Sequence, residues 1–321
     1  MAGSTAIDPA LVERFHTALG RLNPGGGRIG LAVSGGPDSM AMLLLAHEAI
    51  PGHFEVATVD HGLRPEAGGE CALVAKTCET RGVTCEVLAI EVPEGNVQAM
   101  ARLARYEALS AWAERRRLAA VATAHHVDDQ AETLVMRLNR GSGVRGLAGV
   151  RASNYPFEAR FEAPVIRPLL GFRRAELRSV VKSARVAFAT DPGNSDDRFE
   201  RVTVRRELAA ADWLDPRALA RSAAHLAEAE RALEYLTDRV YPEFVEHFAS
   251  HAAIQPPPDR ELARRLVERV IASLNGSARG SDVARLVDGL ARGEDGNVGG
   301  VLARNENGVW VLRPEPARRR N

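Results

Sequence analysis

Four short apolar runs alternate with helix-forming segments in the first part of the chain, and this alternation strongly limits the possible folds. The runs are RIGLAV (28–33), FEVATVD (54–60), CEVLAI (85–90) and LAAVATA (118–124). Segments with helical periodicity separate them at 39–50, about 66–82 and about 97–117. Runs that are apolar throughout are typical of strands buried on both faces of a parallel sheet. The pattern therefore predicts an α/β fold, with a parallel sheet covered by helices on both sides.

The pattern changes after about residue 150, and a second domain is expected towards the end of the chain. We place the boundary between domains of residues 1–215 and 216–321, the second being smaller and α-rich. One long helix is predicted over 216–251, and it could pack on its own domain or on a second copy, which leaves a homodimer open. Two short strands, NVGGVLAR and GVWVLRP, are expected near the end.

Composition and charge argue against several classes of protein. No apolar run approaches the ~18 residues that a membrane span requires. MAGSTAIDPALVERF lacks the basic and apolar regions of a signal peptide, so we expect a cytoplasmic protein that does not bind membranes. A formal net charge of +0 argues against a surface covered in positive charge. The three cysteines, Cys71, Cys78 and Cys85, form no C-x-x-C pair, which favours buried or incidental thiols over a metal site.

The segment SGGPDS (34–39) follows the first apolar run and opens a predicted helix. Adjacent glycines let backbone amides approach an anion, and the next helix directs its free N–H groups and positive dipole to the same place. The segment has neither the Walker lysine nor the three-glycine dinucleotide fingerprint. Asp38 would repel bare phosphate, so a Mg²⁺ ion or a specific substrate contact is expected there. An ordinary turn with Asp38 and Ser39 at a helix start is the alternative.

The segment ATAHHVDDQAETLVMRL brings five ionisable side chains to the end of the fourth predicted strand. On a helix, Asp128 and Asp129 each share a face with Glu132. Such carboxylates suit Mg²⁺ or a cationic amine, which makes Asp128 a candidate metal ligand. His125 or His126 could stabilise developing charge or transfer a proton. Acids that complement a helix dipole are the structural alternative.

Two further segments combine arginines with aromatic or glycine residues. Arg102 and Arg105 lie three residues apart in a predicted helix, next to Tyr106, and could hold a phosphate or a carboxylate. LNRGSGVRGL (138–147) is a glycine-rich basic loop directly after the acidic helix, compatible with nucleic-acid binding. A polar and basic strip near the end of the first domain contains Asp191, Asn194, Arg201 and Arg205.

Taken in order, these motifs resemble the tRNA(Ile)-lysidine synthetases, enzymes that join lysine to the wobble cytidine of an isoleucine tRNA. SGGPDS matches the signature loop of the PP-loop ATP pyrophosphatase superfamily. The segments that follow in the family's order are VDHGLRPEAGGE, ARLARYEAL, AHHVDDQAET, NRGSGVRGL, RPLL and DPGNSDDRFERVTVRREL. The resemblance covers about residues 28–210 and implies a Rossmann-like PP-loop ATP pyrophosphatase domain, followed by a tRNA-binding domain. It also implies that the additional C-terminal domain of longer members is absent.

The resemblance implies a nucleotide site built from the ends of the first two strands. The phosphates of ATP would be held by Ser34, Gly35, Gly36, Pro37, Asp38 and Ser39. Asp60 and His61 would lie beside the nucleoside. A Mg²⁺ ion would be placed by Asp38, and Asp128 is the second metal ligand that we expect.

The remaining roles fall on the acidic helix and on the arginines. The resemblance implies that His125 assists formation of an adenylated cytidine, while Asp129 and Glu132 hold the amines of free lysine. Arg105 and Arg205 resemble the family's functional arginines, near a phosphate or the intermediate. For tRNA contacts, the sequence points to Arg140, Arg145 and Arg201.

The implied reaction ligates L-lysine to carbon 2 of the wobble cytidine in the CAU anticodon of tRNA(Ile). ATP would first transfer AMP to the carbonyl oxygen at that carbon, and a lysine amine would then displace AMP. The products would be lysidine, AMP and pyrophosphate, and the tRNA would read AUA and carry isoleucine. Alternatives are a tRNA thiolase, an amidotransferase-type synthetase and a non-catalytic nucleotide- or tRNA-binding module.

Overall fold

The chain folds into two compact units, Met1–Ala227 and Glu228–Asn321. The computed structural model describes residues 6–62, 67–92, 97–155, 163–190 and 200–316. The division falls inside a helix that begins at Pro216, so the predicted boundary at 215/216 coincides with the start of that helix.

The first unit alternates strands and helices as the sequence predicts. Its strands are β1 (Ile29–Ala32), β2 (Phe54–Asp60), β3 (Cys85–Ala89), β4 (Ala120–Ala122), β5 (Ser153–Asn154) and β6 (Val165–Ile166). Its helices are α1 (Pro9–Leu22), α2 (Pro37–Ala49), α3 (Ala67–Glu79), α4 (Val97–Arg115), α5 (Val127–Asn139), α6 (Val144–Leu147), α7 (Arg174–Ser183), α8 (Glu200–Ala210) and the start of α9 (Pro216–Phe244). The four strands predicted from apolar runs all form, each within two residues of its predicted ends.

The sheet of this unit has the strand order β3-β2-β1-β4-β6-β5. All neighbouring strands are parallel except β5 and β6. The chain moves outward from β1 through β2 to β3, and it then returns to place β4 on the other side of β1. Ligands bind such sheets in the crevice at this reversal, outside the carboxyl ends of the strands. The segments after β1 and β4, which are SGGPDS and HHVDDQAET, therefore meet in this crevice.

Burial explains why β1 and the middle of α2 are almost entirely apolar. Ile29 and Leu31 of β1 are fully buried because helices cover both faces of the sheet. In α2, every residue from Ser39 to Ala46 is buried. The start of this helix is thus fixed by the core, and the loop before it is held in place.

The second unit contains more sheet than the sequence predicts. It combines α10 (Arg260–Ser273) and α11 (Gly280–Ala291) with β7 (Val245–His247), β8 (Ala252–Ile254), β9 (Gly296–Val298), β10 (Val301–Glu306) and β11 (Val309–Pro314). The sheet order is β7-β8-β11-β10-β9, and all its pairs are antiparallel. Its core cluster includes Leu266, Val270, Leu286 and Trp310.

Two details of the predicted second domain are wrong. The helix predicted over 216–251 ends at Phe244, because Pro242 removes a backbone donor from its last turn and Val245–His247 pairs with β8. NVGGVLAR forms two strands rather than one. Gly299 and Gly300 have φ values of +61° and +81°, a conformation that glycine adopts readily, and they turn the chain between β9 and β10.

Among the described residues, no helix has both the length and the apolar character that crossing a bilayer requires.

Candidate active site

The loop after β1 has the shape of an anion cradle. Gly35 has φ +82°, which a residue with a side chain rarely adopts, and its carbonyl accepts the N–H of Ala189 at 2.9 Å. The Ser39 hydroxyl donates to the Gly36 carbonyl at 3.0 Å and accepts the Ser34 N–H at 3.2 Å. Gly36 is the N-cap of α2 and brings no capping side chain, so the free N–H groups of the first turn remain available to a ligand.

Asp38 stands in the first turn of α2 with one oxygen unsatisfied. Its Oδ1 is buried and has no hydrogen-bond partner among the described residues. Its Oδ2 lies 3.4 Å from Nε2 of His126, which is buried at the start of α5. The Nδ1 atom of His126 accepts the Asp129 N–H at 3.4 Å, which assigns the ring proton to Nε2, facing Asp38. His126 therefore lies against the Asp38 carboxylate, a contact that the sequence did not predict.

A cavity of about 600 Å³ opens beside the loop, at the carboxyl edge of the sheet. The chemically active side chains in its wall are Ser34, Asp38, Ser39, His61, Arg102, Arg105, His125, Asp129 and Arg201. The wall also contains Gly36 and Pro37 from the loop. Five segments far apart in the sequence thus converge on one cavity, as the strand topology requires.

Glu132 forms the centre of a buried ion-pair cluster behind this wall. Its carboxylate accepts hydrogen bonds from Arg174 Nη2, Arg201 Nε and Arg205 Nε, each at 2.8 Å. The Glu132 side chain is only 2% exposed. Burial alone would raise its pKa, but the hydrogen bonds from these arginines outweigh burial and hold the pKa at about 2. Glu132 is therefore a permanent anion that ties α7 and α8 to α5.

Asp129 shares one arginine with Glu132. Arg201 Nη2 donates to Asp129 Oδ1 at 3.1 Å, while the Arg201 Nε atom contacts Glu132. The other Asp129 oxygen accepts the His126 N–H at 3.0 Å and caps α5. Asp129 lines the cavity and Glu132 does not, so Asp129 is the more accessible carboxylate of the predicted lysine-binding pair.

Asp128 faces away from this arrangement. Its Oδ2 accepts the Arg174 backbone N–H at 2.7 Å, and Arg173 Nη2 lies 3.1 Å from its Oδ1. Burial would raise the pKa of Asp128, but these donors keep it below its usual value. Both oxygens are used to anchor the start of α7, so the contacts do not support the expected metal role of Asp128. Asp38 keeps one carboxylate oxygen without a partner among the described residues, and its role as a metal ligand stays a prediction.

His125 lies in the cavity wall as a neutral imidazole. Its Nδ1 atom is 3.1 Å from the Thr123 hydroxyl. Burial disfavours the imidazolium, and nearby guanidinium groups add to this effect, so the pKa of His125 falls to about 3. These guanidinium groups belong to Arg167, Arg201, Arg102 and Arg105. His125 can therefore accept or donate a hydrogen bond near neutral pH, but it does not carry a charge there.

Arg102 and Arg105 form a cationic part of the wall around Tyr106. Their Cζ atoms lie 4.9 Å and 5.5 Å from the centre of the tyrosine ring. Burial lowers the pKa of Arg105, although a guanidinium remains protonated at any physiological pH. No carboxylate among the described residues pairs with either arginine. An anionic group of a substrate would complete this site.

Asp60 and His61, at the end of β2, have different surroundings. His61 lines the cavity, whereas Asp60 Oδ1 accepts the Gly62 N–H at 3.0 Å and stabilises the turn after the strand. Their predicted place beside a nucleoside stays a prediction.

The basic loop after α5 lies outside the cavity wall. Arg140 is exposed and pairs with Glu200, and Arg145 is exposed in α6. The loop is held from behind by Gln130, whose amide donates to the Val150 carbonyl at 2.7 Å and accepts the Val150 N–H at 2.6 Å. Arg201 is bound to the acidic pair Asp129 and Glu132, and its predicted contact with tRNA stays a prediction.

Asp191 and Asn194 of the predicted polar strip fall in the segment 191–199, which lies outside the described residues. Other residues of the site were not predicted from the sequence. Arg173 and Arg174, which hold Asp128 and Glu132, carried only a weak signal, as an arginine doublet at a helix start. His126 was visible as one member of the histidine pair, but spacing alone could not show which of the two faces Asp38.

Comparison with known proteins places this site in a family. A model described as PP-loop domain matches residues 10–211. The tRNA(Ile)-lysidine synthase of Novosphingobium aromaticivorans is 47% identical over 311 residues, covering 96% of this chain and 94% of that protein. The enzyme of the same name from Zymomonas mobilis is 36% identical over 304 residues, covering 93% and 92%.

A solved structure shares the fold at low identity. The U34-tRNA thiolase NcsA from Methanococcus maripaludis, with its 4Fe-4S cluster, matches with a TM-score of 0.57 and 17% identity. The match covers 68% of this chain and 78% of that chain, and it shows the fold alone. The identity and coverage of the synthases are far higher, and the chain therefore belongs to the tRNA(Ile)-lysidine synthase family, with a PP-loop domain over residues 10–211.

Proposed function

We propose that this protein uses ATP to join L-lysine to carbon 2 of the wobble cytidine in tRNA(Ile) with a CAU anticodon. The observation that carries the proposal is the single cavity between the glycine loop after β1 and the acidic start of α5. An anion cradle, accessible carboxylates and two arginines without a carboxylate partner among the described residues face one another there. This arrangement suits the joining of a nucleotide, a cationic amine and an anionic RNA, and membership of the family supports it.

The first step is adenylation. The cytidine carbonyl oxygen attacks the α-phosphorus of ATP, and pyrophosphate leaves. The backbone around Ser34–Ser39 holds the phosphates, and His125 offers a neutral hydrogen-bonding group beside the reacting base. The orphaned Asp38 oxygen fits an oxygen-preferring Mg²⁺ ion, which would neutralise phosphate charge.

The second step exchanges AMP for lysine. A lysine amine attacks carbon 2, the bond from that carbon to the adenylated oxygen breaks, and AMP leaves while the amine loses a proton. Adenylation makes the oxygen a good leaving group, so the protein mainly holds the reactants in position, an effect worth up to ~7–11 kcal/mol. We propose that Asp129 contacts a lysine amine directly, while Glu132 acts behind it through Arg201, which both carboxylates share.

Replacing Asp129 with asparagine is expected to raise the KM for lysine about 10- to 100-fold, the loss expected for one charge-assisted hydrogen bond. Asparagine can still accept the His126 N–H, so the α5 cap and the melting temperature should change little. Incorporation of radiolabelled lysine into tRNA at varied lysine concentration measures the effect. An unchanged KM would remove Asp129 from the lysine site.

We also propose that Arg140 and Arg145 contact the tRNA backbone. Replacing both with alanine is expected to weaken tRNA binding and to reduce the slope of log K against log salt by roughly 0.7–0.9 for each lost phosphate contact. Filter binding of the unmodified transcript at several salt concentrations measures this. Arg21→Ala is the matched control, because this exposed arginine ends α1 at the opposite edge of the sheet. Equal slopes in all three proteins would contradict the contact.

The proposed function is tested by pyrophosphate release and labelled-lysine incorporation. The purified protein is incubated with Mg²⁺-ATP, L-lysine and unmodified tRNA(Ile), and each component is omitted in turn. A transcript with uridine in place of the wobble cytidine is the matched control. Lysine incorporation that requires ATP and the wobble cytidine supports the proposal. Pyrophosphate release that requires tRNA but not lysine would support adenylation and would overturn lysine as the second substrate. No pyrophosphate release from folded protein would favour a binding module.

A further inference from the structure

The basic loop that carries Arg140 and Arg145 is fastened to α5 by side chains of that helix. Gln130 is 7% exposed, and its amide donates to the Val150 carbonyl at 2.7 Å and accepts the Val150 N–H at 2.6 Å. Both polar groups of the side chain therefore bond the backbone of one residue. Asparagine and glutamine are the residues whose amide combines a donor and an acceptor in this way, so Gln130 is specific to the contact.

Arg137 holds the same loop two turns further along α5. Its Nη1 atom donates to the Gly146 carbonyl and, at 3.1 Å, to the Gly149 carbonyl. Burial lowers the pKa of Arg137, but a guanidinium remains protonated at neutral pH. Its hydrogen bonds to these neutral carbonyls are therefore charge-assisted, which makes them stronger than bonds between neutral groups.

The loop backbone is adapted to this contact at Gly149. Its φ of +67° is a conformation that glycine adopts readily. A Cβ atom at this position would overlap the Oε1 atom of Gln130. The left-handed conformation and the close approach thus both require glycine where the loop meets the helix.

One helix joins the basic loop to the acidic part of the site. At the other end of the loop, the Ser142 N–H donates to the Arg137 carbonyl at 3.0 Å, so α5 bonds the loop at both ends. Arg140 and Arg145 are exposed within the loop. The same helix begins with the acidic residues of the site, and Asp129 lines the cavity.

We propose that Gln130 and Arg137 are positioning residues for the RNA substrate. They hold Arg140 and Arg145 at a fixed place relative to Asp129, so that tRNA bound by the loop brings its reacting base to the lysine site. A loop that is ordered before binding loses less conformational freedom when the RNA binds, which favours affinity. The inference rests on the proposed function, because it assumes the proposed tRNA contact of Arg140 and Arg145.

The test measures the Kd of unmodified tRNA(Ile) by filter binding to the full chain. Gln130→Met keeps the length of the side chain and removes the amide, whereas Gly149→Ala breaks the same contact from the side of the loop. Arg137→Met removes the second contact. Each change is expected to raise the Kd about 10-fold, because ordering of the released loop then opposes binding. Faster hydrogen exchange of the amides in 141–150 would accompany this loss.

A double-mutant cycle separates this role from a general loss of stability. Adding Gln130→Met to Arg140→Ala/Arg145→Ala should raise the Kd little further, because both sets of changes act through one loop. Asn23→Ala is the matched control, since Asn23 Nδ2 donates to the Gly27 carbonyl at 2.7 Å, before β1 at the opposite edge of the sheet. The control also loses a bond from a side-chain amide to the backbone, but its Kd should equal that of the wild type.

The outcomes distinguish the inference from the proposed function. The inference is overturned if Gln130→Met and Gly149→Ala bind tRNA like the control, or if the effect of Gln130→Met adds fully to that of the arginine changes. Wild-type affinity of Arg140→Ala/Arg145→Ala would overturn the proposed tRNA contact and the inference with it. A wild-type protein that binds tRNA but incorporates no lysine would count against the proposed function alone, because binding is measured without turnover.

Discussion

Replacing Asp38 with asparagine is expected to reduce pyrophosphate release on the order of 10²–10³-fold, the effect of removing one preorganised electrostatic group from an active site. Asp38 combines a buried, unpartnered oxygen with a place in the first turn of α2, beside the anion cradle. Asparagine keeps the shape of the side chain but offers a weaker ligand to Mg²⁺. The loss should be smaller at high Mg²⁺ concentration if the missing oxygen is a metal ligand.

The fold should tolerate this substitution. The Oδ1 atom of Asp38 makes no hydrogen bond to the described residues, and the contact of Oδ2 with His126 is long, at 3.4 Å. We therefore expect a melting temperature close to that of the wild type. Asp212→Asn is the matched control, because Asp212 is exposed in the turn after α8. Pyrophosphate release within twofold of the wild type, measured across a Mg²⁺ titration, would exclude Asp38 from the chemistry.

The parts of the fold that lie in the centre of the sheet could be predicted from the sequence. β1 and β2 are buried on both faces over most of their length, so mainly apolar runs mark them, and the predicted bounds of β2 agree with the structure at both ends. The strands that were missed are short or at an edge. β5 and β6 have two residues each, too few to show a period, and β7 continues directly from a long amphipathic helix.

The candidate site also has one part that could be predicted from the sequence and one part that could not. Local motifs located the glycine loop and the acidic start of α5, because strand topology brings segments after neighbouring strands together. The sequence did not show which side chains pair with one another across the site. Glu132 is separated by 42, 69 and 73 residues from the three arginines that bind it. Spacing along the chain carries no information on such contacts, so the sequence analysis assigns Glu132 to a lysine amine and does not predict its three arginine partners.

Replacing Glu132 with glutamine is expected to lower the free energy of unfolding by about 3–5 kcal/mol, because removing one partner of a buried ion pair leaves the others unpaired. Three guanidinium groups, from Arg174, Arg201 and Arg205, would then face one another around a neutral amide. Urea denaturation at neutral pH measures the loss. Glu86→Gln is the matched control, since Glu86 pairs with Arg115 at the surface, where an ion pair contributes at most ~1 kcal/mol.

The pH dependence separates this electrostatic role from a simple loss of packing. The pKa of Glu132 is lowered from 4.5 to about 2 in the folded protein, which corresponds to about 3 kcal/mol of stability. This contribution is complete above the unfolded pKa of 4.5 and is lost as the pH falls towards the folded value of about 2. The difference in unfolding free energy between wild type and Glu132→Gln should therefore shrink as the pH is lowered through this window.

Subtracting the unfolding free energy of the variant from that of the wild type removes the contribution of the other carboxylates, because these titrate in both proteins. A difference that stays constant from pH 7 to pH 3 would contradict the ion-pair cluster and indicate that Glu132→Gln destabilises through shape alone. If the difference shrinks as expected, α7 and α8 are held to α5 by the charge of Glu132. Since Arg201 joins the same carboxylate to Asp129, the stability of the cluster and the position of the proposed lysine-binding carboxylate would then depend on one buried charge.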